Sequence, residues 1–308
     1  MSACHSAFNI PLQSQKQVLL ELLKKQKVTV YGKDHGFGAI SNVDEYRKRH
    51  PLTRYQHYEP YVVRVYKGEE NVMTSSTPKI LAMTSGTSGQ SSMLPSTNEV
   101  SQLFFKKGIL VIYDLINKNF PESKNLQKNL KLVCMPRFGK SPSGIRVGPN
   151  SSNPKDMDRY DFMYSTPMAV YDLLTEPETI YLHLLFALCD KNLGMIEANF
   201  AHLVYIAMQH LKEKWPQLVS DIRLGKIDPD LKIDQSVRRK LENQLVANPA
   251  RASELHAEFL HGFDGIVQRI WPNLYCVLCV DTGTYVKMLY VVPTTRSIMF
   301  ITTYSSRV

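Results

Sequence analysis

The apolar positions of the chain follow two periods, and together they predict an α/β fold. Over residues 15–26, Val18, Leu19, Leu22 and Leu23 share one face and the lysines the other, which predicts an amphipathic helix. Tyr58, Tyr61, Val62 and Val65 form a second helical stripe, with Thr53 and Gln56 as a capping box ahead of it and Pro60 predicting a kink or a late start. Ser96 and Glu99 make another capping box before a helix expected to reach about residue 117 and to bury Val100, Leu103, Phe104, Val111 and Leu115. Helical patterns follow at 181–189, 199–214, 234–246 and 249–264. Short apolar runs at 78–83, 130–134, 275–280 and 298–303 read as strands. Residues 139–158, rich in Gly, Pro, Ser and Asn, read as an irregular loop. Buried strands alternating with helices, without a solenoid repeat, argue α/β, and no linker marks off two domains.

Composition narrows the class. With 308 residues, 44% of them hydrophobic, the chain can bury a full core and is long for one domain without being decisively two. No stretch approaches eighteen apolar residues, so no membrane span is expected. Met1-Ser2-Ala3-Cys4-His5 does not begin a secretory signal. Five cysteines, Cys4, Cys134, Cys189, Cys276 and Cys279, are odd in number and scattered, which suits a reducing compartment and a cytoplasmic location. The formal charge of +9 is spread over Lys24-Lys25, Arg47-Lys48-Arg49, Lys106-Lys107 and Arg238-Arg239-Lys240. No aromatic-interleaved basic stripe accompanies it, so nucleic acid is not the expected partner; a solvated basic surface favouring anionic ligands is.

Several motif-like groups fail on their own physics. Gly139-Lys140-Ser141 suggests a phosphate loop, but the glycine required five residues earlier is Cys134, and Pro142 opposes the helix that must start there. Cys276 and Cys279 lie in a predicted strand, where residues three apart face opposite ways, and no second ligand pair is near. They read as core thiols. His183, His202, His210, His256 and His261 fall in helical patterns with no His-Glu-x-x-His, so no metal site is expected and most read as surface or hydrogen-bonded histidines. No Gly-x-Ser-x-Gly elbow is present. Trp215 and Trp271 each precede a proline and read as core anchors.

The richest segment is Met83-Thr84-Ser85-Gly86-Thr87-Ser88-Gly89-Gln90-Ser91-Ser92-Met93-Leu94-Pro95, which follows the predicted strand at 78–83. Small residues after a strand can expose several backbone N–H groups and hydroxyls on one side, a concavity suited to phosphate oxygens. The bland alternative is a Ser/Gly surface loop. The segment resembles the Ser/Thr-Ser-Gly-Thr-Ser/Thr-Gly-Gly-x-x-Lys phosphate loop of adenylate-forming enzymes. More narrowly, the chain resembles the Gretchen Hagen three (auxin-responsive) family of acyl-acid amido synthetases. Segments in family order are Leu52-Thr53-Arg54-Tyr55-Gln56-His57-Tyr58-Glu59-Pro60-Tyr61, Arg64-Val65-Tyr66-Lys67-Gly68-Glu69, Ser143-Gly144-Ile145, Tyr164-Ser165-Thr166-Pro167 and Tyr181-x-His183-Leu184-Leu185. Trp215-Pro216, Asp221-Ile222-x-x-Gly225, Arg269-Ile270-Trp271-Pro272-Asn273-Leu274 and Asp281-Thr282-Gly283 complete them.

The resemblance implies an incomplete large N-terminal domain of a firefly-luciferase-like enzyme, with mixed sheets and packed helices, filling residues 1–308 and lacking the small C-terminal domain. It implies that ATP and Mg activate a small carboxylic acid as an acyl-adenylate, which then passes to an amino acid. It implies Thr84, Ser85, Gly86, Thr87, Ser88 and Gly89 around the phosphates, and Tyr304 in the nucleotide-recognition motif; no catalytic residue is assigned. Two departures leave a second reading open. Gln90 replaces a glycine and Met93 stands at the loop lysine; Tyr304-Ser305-Ser306-Arg307-Val308 stops without the family's glutamate. The chain is then either a ligase or a catalytically silent relative that binds a ligand or a protein.

Overall fold

The computed structural model describes residues 11–84, 91–150 and 158–280. Their strands are β1 (Ile80–Met83), β2 (Met93–Ser96), β3 (Asn129–Leu132), β4 (Gly139–Lys140), β5 (Arg146–Gly148), β6 (Met195–Phe200) and β7 (Cys276–Val280). The chain divides into two compact units, Met1–Asp114 with Arg137–Asn150, and Leu115–Pro136 with Ser151–Val308.

In the first unit, helices α1 (Pro11–Gln26), α2 (Val30–Asp34), α3 (Val43–Arg49) and α4 (Tyr55–Tyr66) precede a sheet of order β2-β1-β5-β4. Thr29 caps α2 by accepting the Gly32 N–H at 3.0 Å, and Asn42 caps α3 by accepting the Glu45 N–H at 2.9 Å. The two anticipated capping boxes shift. Arg54 is the N-cap of α4 and provides no side-chain bond, while the Thr53 hydroxyl pairs with the Tyr58 hydroxyl at 2.6 Å. Thr97, not Ser96, caps α5 (Asn98–Phe104), and Glu99 accepts from the Ser76 hydroxyl at 2.8 Å. A π-helical turn, Phe105–Ile109, joins α5 to α6 (Leu110–Asn119).

The helical run to about 117 is thus present, but its apolar face is not buried. Val100, Leu103, Phe104 and Leu115 are exposed, Val111 is half-buried, and Ile116 is the buried member. Val18 and Leu22 of α1 are likewise exposed beside a buried Leu23. Periodicity reports that a helix has an apolar face; burial also needs an element to cover it. Residues 139–150 also depart from the expected loop, because β4 and β5 pair antiparallel and β5 runs parallel to β1 with Leu81 opposite Val147.

The second unit carries a parallel sheet of order β3-β6-β7. Helices α7 (Glu176–Cys189), α8 (Ala201–Leu224), α9 (Gln235–Glu242), α10 (Pro249–Leu260) and α11 (Ile266–Ile270) belong to it. Parallel strands need cover on both faces, and the large core meets that need with Leu130, Leu132, Ile196, Val277 and the inner faces of α7, α8 and α10. Helix α7 is buried from Thr179 to Leu188 on all sides, as its continuous apolar sequence requires. Strand β6 escapes sequence reading because Glu197 interrupts it. In the sheet Glu197 sits opposite Lys131 and pairs with it at 2.5 Å. Helix α8 runs on through Pro216 and ends at Gly225, whose φ of 64° and a Cβ position 2.6 Å from the Ala247 nitrogen both require glycine.

Candidate functional site

The Ser/Gly-rich segment belongs to the β1–β2 hairpin of the first unit. The two strands pair antiparallel, with Met83 opposite Met93 as the last pair. Beyond it, the Thr84 N–H donates to the Ser92 carbonyl at 3.0 Å, and the Ser92 N–H donates to the Thr84 hydroxyl at 3.4 Å. Thr84 is therefore exposed at the mouth of the hairpin, held by its own main chain. Ser85, Gly86, Thr87, Ser88 and Gly89 lie outside the described residues, as does Tyr304. Met93 is half-buried in β2, and its N–H donates to the Tyr55 hydroxyl at 3.0 Å, tying the hairpin to the start of α4.

Two more of the motif segments meet in this unit. Gly68 has φ of 99°, and a Cβ there would lie 2.7 Å from the Ser143 Cβ. The Ser143 hydroxyl donates to the Tyr66 carbonyl at 3.4 Å and pairs with the Ser141 hydroxyl at 2.8 Å. Arg64 forks onto Glu69, with Nε donating to Oε2 at 2.7 Å. The segment ending in Gly68-Glu69 is thus the seat of the β4–β5 ribbon, which in turn edges β1. Gly139-Lys140-Ser141 forms strand and turn rather than a loop opening a helix.

In the second unit the motif residues satisfy one another inside the core. His183 is fully buried; its Nε2–H donates to the Val133 carbonyl at 3.1 Å, and its Nδ1 accepts from the Thr166 hydroxyl at 2.9 Å. Burial lowers its pKa to about 4, so the imidazole is neutral. The Tyr181 hydroxyl and the Asp228 N–H both donate to Asp221 Oδ2 at 2.8 Å, while burial raises the Asp221 pKa. Trp271 is fully buried with Nε1–H on the Ala187 carbonyl at 3.0 Å, and Trp215 stacks on Phe259. Part of the positive charge is turned inward. Arg251 donates to the Leu188 and Ile270 carbonyls at 2.9 and 2.7 Å, and Arg238 donates to the carbonyls of Ile227, Asp228 and Leu231. Cys276 and Cys279 are buried in β7.

An open recess of about 340 Å³ in this unit is lined by Lys128, Ser165, Phe186, Cys189, Asp190 and Gln244 among others. Burial pushes the Cys189 thiol up to about 11, so it holds its proton at neutral pH and is a poor nucleophile.

Sequence reasoning passed over one group in the first unit. A ring nitrogen from each of His35, His50 and His57 lies within 4.8 Å of the others. Their spacing matches no metal motif, and the turns between α2, α3 and α4 alone bring them together.

The chain has the fold of acyl acid amido synthetases. The structure of AtGH3.15 acyl acid amido synthetase in complex with 2,4-DB matches with a TM-score of 0.80 at 24% identity, over 94% of this chain and 52% of that one. The chain belongs to the GH3 family: the GH3 family N-terminal domain matches residues 3–291. Among its relatives, jasmonoyl–L-amino acid synthetase GH3.3 of Oryza sativa subsp. japonica is 25% identical over 293 residues, 89% of this chain and 62% of the relative. Indole-3-acetic acid-amido synthetase GH3.6 of Arabidopsis thaliana is 25% identical over 281 residues, 88% of this chain and 45% of the relative. These homologues are synthetases that conjugate acids to amino acids, and the chain spans about half their length.

Proposed function

We propose that the chain is part of an ATP-dependent acid–amino acid ligase and that the hairpin segment holds the nucleotide phosphates. Family membership supports the reaction class, and the observation that carries the site is the hairpin mouth closed by Thr84 and Ser92. That frame sets a run of hydroxyls and glycines at the end of a strand, a donor set suited to phosphate oxygens. In this reading Thr84 and the residues Ser85 to Gly89 contact ATP, with Mg²⁺ carried in by the phosphates, and Tyr304 serves nucleotide recognition. The substrates are a small carboxylic acid and an amino acid, and the compartment is the cytoplasm. Adenylation needs positioning and charge stabilisation more than a protein nucleophile, so the reading requires no catalytic nucleophile in the loop.

Met93 favours a second reading, a relative that binds without turning over. It stands at the position of the loop lysine, carries no charge, and is fixed by its N–H bond to Tyr55. Calorimetry with ATP and Mg²⁺, together with pyrophosphate release across a panel of acids and amino acids, tests both. Gly86→Asp places a negative charge among the phosphates and is expected to abolish ATP binding while the melting temperature holds; unchanged affinity removes the loop from the site. A lysine–phosphate hydrogen bond is worth roughly 1.5–3 kcal/mol, so Met93→Lys is expected to tighten ATP roughly ten- to hundredfold. Pyrophosphate release by the wild type separates the ligase from the silent relative.

A further inference from the structure

The geometry points to a divalent transition-metal site formed by His35, His50 and His57, with the Tyr31 phenol as fourth donor, in the segment that precedes the hairpin. The four residues come from three elements: Tyr31 in α2, His35 capping its C-terminus, His50 capping the C-terminus of α3, and His57 in the first turn of α4. The turns between these helices thus aim three imidazoles at one point.

The phenol and two of the imidazoles already converge. The Tyr31 oxygen lies 2.6 Å from His50 Nε2 and 3.0 Å from His57 Nε2. His50 places Nδ1 3.0 Å from the Pro51 carbonyl. That contact makes Nδ1–H the donor and leaves the Nε2 lone pair facing the cluster, the outer-shell arrangement that orients metal-binding histidines. The ring of His50 is also stacked on Tyr46, with centroids 5.1 Å apart. His35 Nε2 is buried and has no hydrogen-bond partner among the described residues, which a structural histidine would not leave unanswered at no cost. A metal supplies that partner.

The donor set excludes the hard cations, since Mg²⁺ and Ca²⁺ take oxygen ligands, and it suits zinc or its neighbours in the first transition row. Four-coordinate zinc with bonds of about 2.05 Å to nitrogen holds its donors roughly 3.3 Å apart. The imidazole nitrogens lie within 4.8 Å of one another, so closure requires shifts of at most about 1.5 Å, within the reach of side-chain rotation. With Tyr31 filling the fourth position the site is closed and structural in type, a clasp fastening α2 and α3 to the start of α4.

The test uses the full chain, stripped with a chelator and titrated with Zn²⁺ by calorimetry, with melting temperature followed in parallel. One zinc per chain and an upward shift in melting temperature are expected, since a ligand bound only by the folded state stabilises it. His35→Ala leaves the Tyr31 hydrogen bonds in place, and His57→Gln keeps a hydrogen-bonding group beside Tyr31, so both are expected to fold. Each is expected to lose more than about a hundredfold in affinity, and Tyr31→Phe, which removes the fourth donor but leaves the three imidazoles, a smaller but measurable factor. Replacing zinc with Co²⁺ is expected to give the strong visible absorption of a four-coordinate site, lost in His35→Ala. A chain that binds no zinc, or one whose His35→Ala and His57→Gln forms bind it as tightly as the wild type, overturns the proposal and leaves a hydrogen-bonded histidine cluster.

Discussion

The two sheets of this chain use family segments in opposite ways. In the parallel layer β3-β6-β7, the segments containing His183, Asp221 and Trp271 are consumed by the core: every one of these side chains is buried and bonded to a neighbour. In the sheet β2-β1-β5-β4, the buried cluster is small, built around Val65, Val72 and Leu81, and the segments containing Tyr55, Gly68 and Ser143 brace a hairpin whose mouth is exposed. Buried polar groups are costly unless fully paired, so the first sheet spends its motif residues on order. The second leaves Thr84 exposed at the mouth of its hairpin. Motif residues therefore serve packing in one region and frame an open hairpin in the other.

Large-to-small replacement tests that contrast most strongly. Trp271 is fully buried and answers the Ala187 carbonyl, so Trp271→Ala is expected to cost about 3–5 kcal/mol in urea unfolding. Leu81→Ala, in the smaller cluster, is expected to cost less, near the lower end of the 2–5 kcal/mol range typical of leucine. Equal or reversed costs would break the assignment of stability to the parallel layer.

His183 gives the next largest effect, through pH. Its folded pKa is lowered to about 4, against an ordinary value of 6.5. The unfolded chain thus takes up a proton first as pH falls, and stability drops between pH 6.5 and 4. Above 6.5 both states are neutral and nothing is lost; below 4 the loss levels off at roughly 3 kcal/mol. His35 and His50 are lowered too, so the readout is the difference between wild type and His183→Gln in urea midpoints from pH 7 to 4. The variant is expected to show the shallower decline. Parallel curves would place the titration elsewhere.

How far the sequence discloses each region follows from the same contrast. Helices with a sustained apolar pattern, α1 and α10 on one face and α7 all round, and the strands β1 and β7 are legible because their pattern is local. Strand β6 is not, because Glu197 makes sense only opposite Lys131, sixty-six residues earlier. Strands β4 and β5 are short and lie in a Gly/Pro/Ser-rich stretch, so their pairing with β1 comes from long-range register rather than propensity. The capping signal at Ser96 is off by one residue, because Thr97 offers the same chemistry at the N-cap. The Ser/Gly-rich segment stands out by composition, but the strand β2 that follows it does not, because Met93-Leu94-Pro95-Ser96 reads as loop until it pairs with β1. The histidine cluster was not, since three single histidines acquire meaning only when the turns bring them together.

The smallest effect concerns the brace on the hairpin itself. Tyr55→Phe removes the acceptor for the Met93 N–H without changing the ring that packs beside it. Net loss of one such bond is about 0.5–1.5 kcal/mol, so the melting temperature is expected to fall only slightly. The local consequence is larger than the global one. Met93 is the last paired residue of β2 before the Thr84–Ser92 closure, so freeing its amide loosens the mouth first. Hydrogen exchange at the Met93 amide is expected to quicken by up to roughly tenfold, since about 1.4 kcal/mol corresponds to a factor of ten. Amides of β6, in the parallel layer, are expected to keep their protection. If instead exchange quickens equally in β6, the bond contributes to global stability rather than to the loop frame, and the division of labour between the two sheets fails. If the Met93 amide is unaffected, Tyr55 does not brace the hairpin.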